Sequence, residues 1–168
     1  WGRVAILSLH ALAAPAAPHP PNAPLAFSAS KSPGLDFWAG RWDVYHAAGK
    51  LVAHSLIEKV YGCGIRENWM PLNNQPGGSL SIYVPAEKRW EQFWNDNVGG
   101  MIHFYGGLKD GVMDYWTDEI PQKDGTKLKR HLQFIPSGAD RVRQFSQGST
   151  DGGKTWKVEY DFIYTRTK

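Results

Sequence analysis

Two carboxylates in this 168-residue chain stand where they could exchange protons with a small molecule: Glu67, within Gly64-Ile65-Arg66-Glu67-Asn68-Trp69-Met70, and Asp96, closing Arg89-Trp90-Glu91-Gln92-Phe93-Trp94-Asn95-Asp96. Two carboxyls facing one cavity suit general acid–base work, because one can hold a proton while the other accepts one. In such an enzyme Glu67 or Asp96 is the base and Arg143 or Tyr83 stabilises developing negative charge, as an isomerase, cyclase or hydrolase of small substrates requires. No spacing signature sets the separation of the two groups. The competing expectation is a buried structural Glu67 satisfied by Arg143 or by a tryptophan indole N–H.

Other chemistries have weaker support. Histidines 46, 54, 103 and 131 are scattered, with no His-x-His or His-x₃-His pair, so spacing predicts no metal site. His103 or His131 remains a candidate axial ligand for haem. Cys63 sits between Gly62 and Gly64 with no base beside it, and reads as a small thiol in a bend. A single cysteine excludes an intramolecular disulfide and a cysteine-rich zinc or iron–sulfur site. A nucleophile elbow, a phosphate-cradling loop and a dinucleotide fingerprint are all absent. No motif assigns a catalytic residue, and no cofactor is expected.

The elements that must position these groups are strands. Aromatic and β-branched segments recur at 41–47, 51–61, 64–70, 79–84, 89–96, 101–106, 112–119, 127–135, 141–148 and 156–166. Between them lie turn-forming breaks such as Ala48-Gly49-Lys50, Asp110-Gly111 and Lys123-Asp124-Gly125. No segment sustains a 3.6-residue period, although Leu35 to Gly40 fits one short helical turn. Connections this short force antiparallel neighbours, and a meander of eight to ten strands avoids two open edges by curling into a barrel wide enough for one small ligand.

Alternation then groups the side chains. Ile65, Glu67 and Trp69 share a face, as do Trp90, Gln92, Trp94 and Asp96; charged Arg89 and Glu91 on the opposite face suit solvent. Aromatic walls with a few polar groups resemble a ligand pocket more than a dry core. Ser79, Ser81 and Tyr83 also group together, as do His103 with Tyr105 and His131 with Gln133. For these three sets alternation leaves open which face is inward.

Ser149-Thr150-Asp151-Gly152-Gly153-Lys154-Thr155-Trp156 fits the Asp-box pattern of sialidase-type propellers. There the Asp and hydroxyl groups bond turn amides and Trp packs beneath the loop. It occurs once, without the 40–50-residue repeat of a propeller, and is expected to brace a hairpin rather than do sialidase chemistry.

Residues 1–34 differ in kind. They contain 6 of the 11 prolines, 9 alanines and no acid. Arg3, an apolar run from Val4 to Ala14 and small residues around Ala11-Leu12-Ala13 and Ala14-Pro15-Ala16 follow the order of a signal-peptide remnant, which predicts a periplasmic or secreted protein. The tail contributes Arg3 and Lys31, so the whole-chain charge of +3 (19 basic, 16 acidic) becomes +1 (17 against 16) over 35–168. That charge gives little attraction for nucleic acid, and no apolar run is long enough to span a membrane.

Asp36-Phe37-Trp38-Ala39-Gly40-Arg41-Trp42-Asp43-Val44, then Gly62-Cys63-Gly64-Ile65-Arg66-Glu67-Asn68-Trp69, then Trp90 to Asp96, then Val142-Arg143-Gln144 and Tyr160 to Tyr164 follow one another in an order that resembles the DUF1579-like family of bacterial, often exported proteins. The resemblance runs over residues 35–168 and implies a lipocalin-like, calycin-type barrel with no established reaction. It also implies that Trp42, Glu67, Trp69, Gln92, Trp94, Asp96 and Arg143 are structural or cavity-lining. Ala39 stands where Leu is usual, and Val84-Pro85 where the tyrosine is often followed by Asp.

The expectation is therefore an all-β protein, a closed antiparallel up-and-down lipocalin-like barrel over 35–168, binding a small hydrophobic or amphipathic molecule as a monomer or homodimer. Trp69, Trp94 and Tyr83 form walls, and Glu67, Gln92 and Arg143 orient a polar end. Trp42 and His103 complete the candidate cavity set.

Overall fold

Short Gly-rich breaks between alternating segments leave the backbone no route except antiparallel hairpins, since a parallel crossover needs a dozen residues or more. The computed structural model describes residues 34–167, and there every expected segment is a strand. The expected leader and Ala/Pro-rich tail, apart from Gly34, lie outside the described residues. In chain order the strands are β1 (Gly40–His46), β2 (Leu51–Val60), β3 (Gly64–Pro71), β4 (Gly77–Val84), β5 (Arg89–Asp96) and β6 (Met101–Lys109). They continue with β7 (Val112–Trp116), β8 (Ile120–Pro121), β9 (Lys127–Pro136), β10 (Arg141–Ser149) and β11 (Lys157–Arg166).

Each strand from β1 to β6 pairs with the next. β9 pairs with β7 and β10, and β11 returns to β1, so ten strands close an antiparallel up-and-down barrel. Closure satisfies both edges that an open meander would expose. Asp110 (φ 50°) and Gly111 (φ 81°) make the β6–β7 link a two-residue turn with both residues left-handed, the geometry that matches strand twist. Two details differ from the sequence expectation. Strand β7 stops at Trp116, because the buried Thr117 hydroxyl accepts the Arg130 N–H at 2.9 Å and interrupts the ladder; Ile120–Pro121 then form the separate ribbon β8 against β9. Strand β4 starts two residues early, at Gly77.

One end of the barrel is plugged. A 3₁₀ turn, Leu35–Trp38, inserts Leu35 and Trp38, and the Trp38 ring lies 4.4 Å from Phe134 and 6.2 Å from Tyr164 between centroids. Trp42 donates its indole N–H to the Trp38 carbonyl at 2.8 Å. Arg166 holds the plug down by donating to the Ala39 and Phe37 carbonyls at 2.8 and 3.2 Å, with its guanidinium 4.1 Å over the Trp42 ring. With Val44, Ile57, Phe134 and Val142, these residues make a dry core at this end. Among the described residues no helix is long and apolar enough to cross a membrane.

The β10–β11 hairpin carries the Asp-box residues as a brace. Asp151 accepts from the Lys154 and Thr155 amides at 3.0 and 2.9 Å and from the Thr155 hydroxyl at 2.6 Å, while Trp156 donates to the Gly153 carbonyl at 3.1 Å.

Candidate functional site

Alternation on β3 turns Ile65, Glu67 and Trp69 inward and leaves Arg66, Asn68 and Met70 exposed. Glu67 is only 4% exposed. Its Oε1 accepts from the Ser55 hydroxyl on β2 and the Tyr164 hydroxyl on β11, both at 3.1 Å; its Oε2 accepts from the Ser79 hydroxyl on β4, its register partner, at 3.1 Å. Burial disfavours the charged form and pushes the Glu67 carboxyl up to about 7, while the hydroxyls of Ser79, Ser55 and Tyr164 pull the other way. Among the described residues no basic side chain balances it.

Above Glu67, toward the end where β3, β5 and β10 finish, the interior opens into a cavity of about 270 Å³. Strands β3 and β5 contribute Trp69, Gln92 and Trp94; β6 and β9 contribute Ile102, Phe104 and Leu132; β10 and β11 contribute Gln144, Tyr160, Phe162 and Tyr164. Gly77 is what lets the Trp94 indole lie where it does, since a Cβ there would sit 2.7 Å from that ring. Gln92 donates its amide to the Ser81 hydroxyl at 3.1 Å, which leaves its oxygen as an acceptor. Gln144 accepts from the Tyr164 hydroxyl at 2.9 Å, which leaves its NH₂ as a donor. The chemistry available is an apolar, aromatic enclosure with two amides and one carboxyl that gains or loses a proton near neutrality.

No family model matches the chain, and no curated protein matches it. Among solved structures the chain is similar to an S-type phycobiliprotein lyase from Guillardia theta, at 14% identity over 79% of this chain and 90% of that one, with a TM-score of 0.48.

Of the residues singled out in the sequence, Glu67, Trp69, Gln92 and Trp94 line the cavity together. The others lie elsewhere. Asp96 sits at the rim, where Oδ1 accepts the Val98 and Gly100 amides of the β5–β6 turn at 3.1 and 2.7 Å, so the Glu67–Asp96 pair is not formed. Trp42 belongs to the plugged end. Tyr83 points inward but packs edge-on to Trp90 in the core below the cavity, at a centroid distance of 5.8 Å. Arg143 is outside, where it makes a two-pronged ion pair with Asp161 at 2.8 and 2.8 Å and stacks over Phe145. It therefore neither satisfies Glu67 nor stabilises charge in the interior.

His103 and His131 are also on the outer surface. His103 is bonded to Glu91 and stacks on Phe93, centroid to centroid 4.5 Å. His131 is held between Asp114 and Gln147 and stacks on Trp116 at 3.8 Å. Nε2 of His103 and both ring nitrogens of His131 are engaged on the outer surface, and neither imidazole lines the cavity. Among the described residues no group of three or more His, Cys, Asp and Glu could hold a metal ion.

Sequence reasoning missed Ser55, Gln144, Tyr164 and the aromatic face of β11. A signal existed: in Arg143-Gln144 one residue must face out when the other faces in, and Tyr160, Phe162 and Tyr164 share a face.

Proposed function

We propose that this protein is a small-molecule-binding barrel that takes a partly apolar ligand into the cavity beside Glu67, with Gln92 and Gln144 orienting its polar end. The observation that carries this reading is an interior left open at about 270 Å³ and walled by aromatic rings, with three polar groups converging on it. A dry structural barrel would fill that volume with Leu, Ile and Val. The volume is at the small end for ligand pockets, which favours compact ligands. The reading includes membership of the DUF1579-like lipocalin-type barrels and export to the periplasm or outside the cell, the latter on the leader-like order of residues 3–16.

Titration with the neutral fluorophore 1-aminoanthracene tests it. Emission rises to one equivalent in the native protein and fails to rise in Ile102→Trp or Leu132→Trp, whose indoles fill the cavity. Absence of enhancement in the native protein overturns the reading.

A second reading, proton transfer by Glu67, is favoured by its carboxyl pushed up to about 7 within hydrogen-bond reach of Tyr164. A molecule recovered by native mass spectrometry of protein from its own host, returned to the protein in D₂O, then gains deuterium with the native chain and not with Glu67→Gln. No gain with either leaves a binding protein.

A further inference from the structure

Resting on the binding-barrel reading, we infer that the ligand is a small organic cation, its positive nitrogen held at Glu67 and against the aromatic wall formed by Trp69, Tyr160, Phe162 and Tyr164. Four observations converge on this.

The cavity is electrostatically one-sided. Glu67 is the only ionisable group of ordinary acid or base strength among its described lining residues, none of which is Lys, Arg or His. An anionic headgroup, such as a fatty carboxylate, would meet the carboxylate with nothing to compensate it. Of the two basic residues that sequence placed here, Arg143 is committed to Asp161 and His103 to Glu91, both outside the barrel.

Next, both oxygens of the carboxyl are held by hydroxyls. Three hydroxyls donate to it from three strands, a set that orients both oxygens as acceptors. They do not supply a positive charge, so the counter-charge is left to whatever enters the cavity.

Four aromatic rings line the same space. Trp69 stacks with Phe162 at 5.7 Å, Phe162 with Tyr160 at 5.0 Å, and Trp69 approaches Tyr164 at 6.3 Å. These four rings form a continuous wall at whose end Tyr164 touches Glu67. Ring faces carry partial negative charge, and a desolvated cation within about 6 Å of a ring centroid is attracted to it.

Finally, the polar inventory suits a substituted ammonium. The Gln92 oxygen offers a further acceptor for an N–H or for a hydroxyl elsewhere on the ligand. The other titratable groups facing Glu67 are Tyr164 and Tyr160, whose hydroxyls burial holds in the neutral form.

The test compares three probes of similar size on the full chain by calorimetry or tryptophan fluorescence: benzyltrimethylammonium, its uncharged isostere neopentylbenzene, and 3-phenylpropanoate. The expected result is that the cation binds about tenfold or more tighter than either competitor, and that Glu67→Gln removes the preference while still admitting neopentylbenzene. Should the variant fold poorly, the native chain answers alone: affinity for the cation rises between pH 6 and 8 while that for neopentylbenzene stays flat. Equal or weaker binding of the cation overturns the inference and leaves the binding-barrel reading standing. Failure of all three probes while 1-aminoanthracene still enters also overturns it; failure of 1-aminoanthracene as well removes the underlying reading.

Discussion

The Tyr164 hydroxyl lies 3.1 Å from Glu67 Oε1, joining strands whose contacting residues are 97 positions apart in the chain. The same hydroxyl is 2.9 Å from Gln144 Oε1, and a phenol has a single proton for the two acceptors. When Glu67 is protonated, its O–H donates to the phenol and the phenol proton goes to Gln144, so every group is satisfied. When Glu67 is ionised, the phenol proton is drawn to the carboxylate and the Gln144 oxygen loses its donor. The protonation state of Glu67 is thereby coupled to the amide on the far side of the cavity.

Tyr164→Phe removes a donor that favours the carboxylate, so the Glu67 carboxyl climbs above about 7. Loss of a buried hydrogen bond also costs roughly 1–3 kcal/mol of stability. Carboxyl titration by isotope-edited NMR and urea unfolding at pH 8 check the two effects; an unmoved carboxyl shows that the phenol does not donate to it.

The Glu67 carboxyl stands at about 7 in the folded protein against 4.5 as its ordinary value, so between these values the folded state holds a proton that the unfolded state has released. Its contribution is fully present below pH 4.5 and is lost as pH rises through 7, with a total on the order of 3 kcal/mol. Glu67→Gln abolishes that limb. Urea unfolding of both proteins at pH 4.5, 6 and 8 should show the difference in stability, variant minus native, moving in the variant's favour as pH rises; a constant difference would contradict the assignment.

Gly77→Ala places a methyl 2.7 Å from the Trp94 ring and the Asn95 carbonyl, so the indole must shift. Overpacking of this kind costs about 1–3 kcal/mol. The probe 1-aminoanthracene is expected to bind with altered affinity and with a changed tryptophan emission, whereas Gly107→Ala, at a site with open space around it, leaves probe binding unchanged.

Asp151→Asn removes the charge that the Thr155 hydroxyl and amide, the Ser149 hydroxyl and the Lys154 amide hold well below the usual carboxylate range. Because the folded-state value is depressed, the stability it contributes is present above the unfolded value near pH 4 and is lost as pH falls below it. Hydrogen exchange at the Lys154 and Thr155 amides should quicken in the variant, with the probe affinity of the cavity unaltered. Slower binding to the cavity would mean that the brace shapes the site.

Haemin titration should produce no Soret band that depends on His103 or His131, since both imidazoles are engaged on the outer surface. A band that His131→Ala or His103→Ala removes would require the outer face of the barrel, and not its interior, to carry the ligand.

The sequence by itself determined the strands, their turns and the inward faces of β3 and β5, because a period of two and a left-handed turn residue are local properties that adjacent residues express without distant help. It was therefore able to bring Glu67, Trp69, Gln92 and Trp94 together. Where the chain ran into a rim or a plug, the same alternation misled: Asp96 has inward parity but is claimed by turn amides, and Trp42 and Tyr83 face inward but below the cavity. Only the tertiary structure decided that β11 returns to β1, that Tyr164 and not Arg143 meets Glu67, and that the interior holds a carboxylate with no basic partner among the described residues. Those relations depend on how ten strands register around a closed circuit, and a one-residue shift of β10 would exchange Gln144 for Arg143 and set a positive charge beside Glu67.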